Sequence, residues 1–251
     1  MPRLKAVVAY DGTHFSGWQV QPEKRTVQGE IGRALGTLHR VAHVENVTAS
    51  GRTDSGVHAV GQAVHFDSQL AIPEERWPKA LMSLLPDDIL IQRVEVVRDD
   101  FHARYDALEK EYRYYVQIGK NRDVFQRNYT HHVYTNHLDS EAMNKALEKL
   151  VGKYDFSSFC ASNTSVVDKV RTLKLAYVEP LAEHTLMFRF RGEGFLYNMV
   201  RIIVGTVLEV GQGRRTVEEI TTIRDGKDRR LAGKTAPAQG LYLWEVAYRG
   251  E

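Results

Sequence analysis

Thr172-Leu173-Lys174-Leu175-Ala176-Tyr177-Val178 and Thr185-Leu186-Met187-Phe188-Arg189-Phe190-Arg191 follow one another along the chain. Both read as β-strands, and no helical pattern separates them. Strands in direct succession do not build the strict strand–helix alternation of a doubly wound parallel sheet. They favour an α+β fold with a mixed, largely antiparallel sheet.

The flanking segments agree. Downstream, Leu241 to Tyr248 is a further strand. Between Arg191 and Leu241, a helix is expected from about Asn198 to Glu209. A short helix begins at Thr216, where Thr216 and Glu219 have capping-box spacing. Upstream, Lys110 to Ile118 alternates through Tyr112, Tyr114 and Val116 as a strand. Ser140 to Val151 is an amphipathic helix on Met143, Leu147 and Leu150. The N-terminal half has the same mixture. Leu4, Ala6, Val8 and Tyr10 alternate as a strand, and Asp11-Gly12 breaks it. A helix from Thr26 carries Val27, Ile31, Ala34, Leu35 and Leu38 on one face. Val47 to Ala49, Gln62 to Phe66 and Ile89 to Val97 read as strands, with a helix opening at Pro73 before the last. The polar-aromatic connector Phe101 to Tyr105 marks the expected boundary between an α+β domain at 1–105 and a second at 106–251. The halves look related, each holding a βαβ-type unit.

Composition sets limits. With 43% hydrophobic and 26% charged residues, the 251-residue chain is ordinary globular protein, not a disordered tail, a collagen-like fibre or a coiled coil. The net charge of +2 argues against a strongly basic coat protein but leaves room for local phosphate contacts. Lys227, Arg229, Arg230 and Lys234 cluster, as do Arg214 and Arg215; such runs are solvated surface or phosphate contacts. Cys160 is the single cysteine, so neither an internal disulfide nor a cysteine zinc site is expected. No apolar run approaches a membrane span, and Met1-Pro2-Arg3 leads straight into a strand and not a signal peptide. The expectation is a soluble cytoplasmic protein.

Four constellations could carry chemistry. In Gly51-Arg52-Thr53-Asp54-Ser55-Gly56-Val57-His58-Ala59, a carboxylate enters a loop flanked by glycines, with Arg52 two residues away. An ionised, aimed Asp54 suits a nucleophile or general base; a turn whose Asp bonds its own backbone is the plainer alternative. On the helix around Arg201, apolar Met199, Val200, Ile202, Ile203, Val204, Val207 and Leu208 cover all faces. A guanidinium there needs a carboxylate, for which Asp54 is the candidate, or else a structural partner. Tyr112 shares a strand face with Tyr114, placing it as a stacking group or a core residue. Phe101-His102-Ala103-Arg104-Tyr105 interleaves aromatic and basic groups, as RNA contact or as a polar linker. No Walker loop, dinucleotide fingerprint or metal-ligand spacing occurs, so neither a nucleotide cofactor nor a metal is expected.

These residues converge on a family. The loop at Gly51–Ala59 resembles the signature of the TruA-type tRNA pseudouridine synthases. The same family's motifs are matched by Tyr10-Asp11-Gly12-Thr13 with Phe15 and Gly17-Trp18-Gln19, Thr26-Val27-Gln28-Gly29, Phe101-His102-Ala103-Arg104, and Tyr112-Arg113-Tyr114. Gly194-Phe195-Leu196-Tyr197-Asn198-Met199-Val200-Arg201 and Ala236-Pro237-Ala238-Gln239-Gly240-Leu241 complete the set, in family order. The resemblance implies two α+β halves with an active-site cleft between them. It implies conversion of uridine to pseudouridine at positions 38, 39 and 40 in the anticodon stem–loop of tRNA, by a homodimer without cofactor or metal. It places the catalytic aspartate at Asp54, the active-site tyrosine at Tyr112 and the base-flipping arginine at Arg52, with Arg201 beside the substrate. Phe101, His102, Ala103, Arg104 and Tyr105, with Ala161, Ser162, Asn163, Thr164 and Ser165, correspond to segments that meet the tRNA. Two other readings compete. Asp54-Ser55-Gly56 matches an aspartic protease triplet, though such sites need a second copy. A non-catalytic RNA-binding module would use the aromatic and basic groups without needing Asp54.

Overall fold

Alternation along Arg3–Tyr10 (β1) buries Leu4, Ala6, Val8 and Tyr10 on one side of the sheet, as a period of two requires. In the computed structural model, which describes residues 1–44 and 46–250, the chain divides into two compact units. One holds residues 1–108 and 242–251; the other holds 109–241.

In the first unit, β1 lies between His58–Asp67 (β3) and Ile89–Val97 (β4), antiparallel to both. Thr48–Ala49 (β2) also runs antiparallel to β3. β1 and β2 are therefore parallel to each other across β3. The helix Val27–His39 (α1) connects them as a split βαβ crossover. The Thr26 hydroxyl caps α1 by accepting from Gly29 N, and Val27, Ile31, Ala34 and Leu35 are buried. Each large side chain of that face contributes about 1.5–3 kcal/mol by leaving water. A short helix, Trp77–Met82 (α2), packs on β4 and follows a 3-10 turn capped at Pro73.

β3 begins four residues before the expected Gln62. Residues 58–61 have no apolar alternation of their own; they join the strand because distant chain pairs with them. Tyr10 meets Ala59 after a bulge, and Tyr242–Leu243 runs parallel to His58–Ala59. That second pairing belongs to Leu241–Ala247 (β10), so the last strand returns to the first unit. A single linear cut after Tyr105 has no place for this return.

The second unit repeats the split arrangement. Glu109–Ile118 (β5) and Val170–Ala182 (β8) both pair antiparallel with Thr185–Gly192 (β9), so they are parallel across it. Ser140–Glu148 (α3) lies between β5 and β8 in sequence and packs on β8. It ends three residues short of the expected Val151, where Leu150 and Val151 turn back on Leu147 and Glu148. Two short strands escaped the sequence reading: His131–Val133, parallel to β5 (β6), and Gly152–Asp155, antiparallel to β8 (β7). Met199–Gly211 (α4) buries ten of its thirteen residues and packs on α3. The expected capping box before Glu219–Gly226 (α5) is formed both ways: Glu219 Oε2 accepts from Thr216 N and Thr216 Oγ1 from Glu219 N. The fold is thus α+β with mostly antiparallel ladders. Among the described residues, no helix is long and apolar enough to cross a membrane.

Candidate active site

Asp54 sits in the loop between β2 and β3, and it is the N-terminal motif that shapes this loop. The Thr53 carbonyl accepts from Trp18 N at 3.0 Å, and the Phe15 carbonyl accepts from Gly56 N at 3.3 Å and from the Ser55 hydroxyl at 3.2 Å. Within the loop, Val57 N donates to the Asp54 carbonyl at 3.1 Å. Two glycines let the backbones approach this closely. A Cβ on Gly12 would lie 2.1 Å from the Val57 oxygen, and one on Gly17, whose φ is +92°, would lie 2.7 Å from the Thr53 oxygen. The Tyr10-Asp11-Gly12 and Gly17-Trp18 motifs and the Asp54 loop are therefore one packed unit, which explains why they occur together. Arg52 is exposed, and Asp54 is half-buried and reachable.

His58 is buried; its Nδ1 accepts from Gly12 N at 3.0 Å and lies 3.2 Å from Asp11 Oδ1, and its ring stacks on Tyr242 at 4.6 Å. It fastens the C-terminal end of the loop to the turn after β1. Thr13 holds Asp11 in place, donating from its N and its hydroxyl to Oδ1.

The connector at 101–105 splits into two kinds of residue. Phe101 and Ala103 are buried anchors: Ala103 N donates to His65 Nδ1 at 3.1 Å, and its carbonyl accepts from the Tyr248 hydroxyl at 2.7 Å. Arg104 and Tyr105 are exposed, while His102 is half-buried, its Nδ1 accepting from Arg104 N at 3.2 Å and Tyr105 N at 3.3 Å and its ring 4.9 Å from that of His65. Tyr105 is 74% exposed, its ring 4.2 Å from the His102 ring and beneath the Arg104 guanidinium at 5.7 Å.

Tyr112 and Arg201 belong to the second unit. Tyr112 lies on β5 opposite Phe190, buried, with the Phe195 ring edge-to-face at 4.9 Å. Arg201 stands in the first turn of α4. Its Nε donates to the Ala236 carbonyl at 2.7 Å, and its NH1 donates to Asn198 Oδ1 at 2.8 Å. Asn198 precedes the helix in the left-handed region, φ +60°. The Tyr114 hydroxyl donates to the Pro237 carbonyl at 2.8 Å, and burial pushes that hydroxyl's pKa up. The Ala236-Pro237 motif is thus gripped by the α4 motif and by β5. Ala161 to Ser165 form a largely exposed loop, Ala161 N donating to the Tyr197 carbonyl at 3.0 Å.

The basic clusters are largely engaged locally. Arg215 pairs with Glu209, Arg230 with Asp228 and Lys227 with Asp155, while Arg229 donates to the Ala232 and Gly233 carbonyls. Sequence reasoning missed Glu111. This buried carboxylate on β5 accepts from Arg113 at 2.8 Å, Arg189 at 2.7 Å and Arg191 at 3.1 Å. Its signal, a Glu and an Arg two apart on a strand beside two more Arg, is visible only once the register is known.

A family profile described as tRNA pseudouridine synthase matches residues 6–106 and 146–249. The chain belongs to that family. The family is one of isomerases; Asp54, Arg52 and the 101–105 connector fall in the first matched block and Arg201 and Ala161 to Ser165 in the second, while Glu111, Tyr112 and Tyr114 lie between the two. Among similar proteins, the tRNA pseudouridine synthase A of Anoxybacillus flavithermus is 56% identical over 249 residues, covering 99% of each chain. That of Geobacillus kaustophilus is 55% identical over 253 residues, 99% of this chain and 95% of the other. That of Bacillus subtilis is 51% identical over 247 residues, 98% and 99%.

Proposed function

We propose that this chain isomerises uridine to pseudouridine in the anticodon stem–loop of tRNA, at positions 38, 39 and 40, with Asp54 as the nucleophile or base. Uridine-to-pseudouridine isomerisation in tRNA follows from membership of the family; the stem–loop site and the role of Asp54 are the finer reading. The observation that carries it is the seat of Asp54. A reachable carboxylate sits at the centre of a loop whose backbone is held by an N-terminal motif with little other reason to be glycine-rich.

The reaction is intramolecular. The C1′–N1 bond breaks, the uracil turns, and C1′ bonds to C5; the C5 proton leaves and N1 gains one. An ionised Asp54 begins this by attack at C1′ or C6, or by removing the C2′ proton. Arg52, exposed beside it, fills the space left when the uridine leaves the stack, which offsets part of a cost of about a few kcal/mol. Tyr112 stacks on the target base, its ring orientation set by Phe195. Arg201 contributes to substrate binding. His102, Arg104 and Tyr105 supply a stacking platform and charge for the RNA, and Ala161 to Ser165 a second contact segment. The enzyme acts in the cytoplasm as a homodimer, without a cofactor.

The test is release of tritium from a tRNA transcript carrying 5-tritiated uridine, with the wild-type chain and with Asp54→Asn. Wild type releases label and the variant does not. Release by Asp54→Asn at the wild-type rate would remove Asp54 from the chemistry, and binding of tRNA without release by wild type would leave only a binding module.

A further inference from the structure

A chain of polar side chains runs beneath the Asp54 loop, inside the first unit. Ser50, Gln62, Tyr10 and Thr53 are all buried. The Ser50 hydroxyl donates to Gln62 Oε1 at 2.6 Å, and Gln62 Nε2 donates to the Gly51 carbonyl at 2.8 Å. The Tyr10 hydroxyl lies 2.7 Å from Thr53 Oγ1.

Two buried links result: Ser50 to Gln62 to the Gly51 carbonyl, and Tyr10 to Thr53. The two positions that flank Arg52 are held in this way: Gly51 through its carbonyl, Thr53 through its hydroxyl. Asp54 is the next residue. Above the network, the Thr53 carbonyl is held by Trp18 N. Thr53 is thus fixed by its side chain from one direction and by its backbone from another.

Apolar side chains of the same shape would serve the sheet equally well, because a buried polar group gains little over an apolar one once both are satisfied. What apolar groups lack is direction. Buried, directional hydrogen bonds favour one arrangement of the loop.

We propose that Tyr10, Thr53 and Gln62 are positioning residues that orient the Arg52–Asp54 loop for the isomerisation. The proposal rests on the reading of Asp54 as the reacting group. None of the three needs to touch the substrate; they act through Asp54.

The experiment measures the single-turnover rate of tritium release and the Kd for tRNA. It uses the full chain as wild type, Asp54→Asn, Tyr10→Phe, Thr53→Val, Thr53→Ser and the double variant Tyr10→Phe/Thr53→Val. Near-UV circular dichroism checks folding of each. Tyr10→Phe and Thr53→Val are expected to slow release about tenfold to a hundredfold, the cost of a sub-ångström misplacement, with Kd unchanged. Thr53→Ser, which keeps the hydroxyl, restores the wild-type rate. The double variant is no slower than the slower single, because both remove one hydrogen bond. Wild-type rates in folded Tyr10→Phe and Thr53→Val would overturn the proposal, as would Thr53→Ser as slow as Thr53→Val. If Tyr10→Phe fails to fold, the Thr53 pair decides. The Asp54→Asn arm separates the two readings. If that variant is active, the premise fails. If it is inactive while the network variants run at the wild-type rate, only the positioning role fails.

Discussion

Replacing Gly17 by alanine tests whether the N-terminal turn seats the Asp54 loop. Gly17 has φ +92°, and a Cβ there would lie 2.7 Å from the Thr53 oxygen and 3.2 Å from both the Asp54 carbonyl carbon and Ser55 N. Two costs follow. Positive φ with a Cβ costs about 1–2 kcal/mol. The second cost is steric, and the neighbours are backbone, so no side chain can swing aside. The Thr53 contact would be roughly 0.7 Å shorter than the 3.4 Å at which ordinary contact begins, so the loop must shift by a comparable amount. Together these destabilise the protein by about 2–4 kcal/mol, which lowers Tm by about 4–16 °C for a chain of this size. A shift of that size at a reacting carboxylate slows the chemistry by about tenfold to a hundredfold. Gly213 is the control. Its φ is +69°, but a Cβ there meets nothing within 4 Å. Gly213→Ala carries only the first cost, about 1–2 kcal/mol, and leaves the rate unchanged. The assays are thermal unfolding by circular dichroism and single-turnover tritium release. A Gly17→Ala protein that matches Gly213→Ala in both would refute the seating of the loop on this turn.

Glu111→Gln leaves Arg113, Arg189 and Arg191 without their shared buried carboxylate and should cost about 2–3 kcal/mol at neutral pH. Burial pushes the Glu111 carboxyl up, but hydrogen bonds from Arg189 and Arg113 outweigh it and hold it below the usual carboxylate range. A lowered folded value gives stability that is whole above the unfolded value, about 4.3, and fades as pH falls through the folded one. Urea unfolding from pH 7 downward should therefore show the gap between the two proteins closing in acid; a constant gap would count against the ion cluster. Burial, helped by the charges of Arg3 and His102, holds His65 down at about 4. An unfolded histidine takes its proton near 6.5, so this contribution is full above about that pH and is lost as pH drops toward 4. The His65 ring C–H shift in NMR should titrate near 4, and a midpoint near 6.5 would show the ring to be solvated. Tyr105→Ala should weaken tRNA binding by about 1–3 kcal/mol, the worth of one stacked base, without moving Tm. A Tm drop with unchanged Kd would make Tyr105 structural.

Asp54 stands out in the sequence through the likeness of its loop to the family signature; by residue types alone the loop reads equally as an ordinary turn. Tyr10 and Gln62 were not legible as part of its support. A tyrosine closing an apolar strand face reads as core, and a glutamine inside a strand reads as surface. Only the pairing of β1 with β3 and the course of the Asp54 loop bring them to Thr53 and Gly51. Phe101 and Ala103 show the converse. The connector motif marks them as ligand contacts, while their burial makes them anchors for His102, Arg104 and Tyr105.

What depends on near neighbours is legible along the chain. Face alternation placed β1 and β5, the Thr216–Glu219 spacing placed the capped turn that leads into α5, and the all-round apolar run placed α4 in the core. Each is legible because burial and capping act within a few residues. The tertiary structure decided what depends on distant chain: the start of β3 at His58, the short strands β6 and β7, the return of β10 to the first unit, and the seat beneath Asp54. Those pairings join segments tens to nearly two hundred residues apart, and the local pattern of neither segment records its partner. A strand edge accepts whichever chain the packing of the whole unit delivers to it.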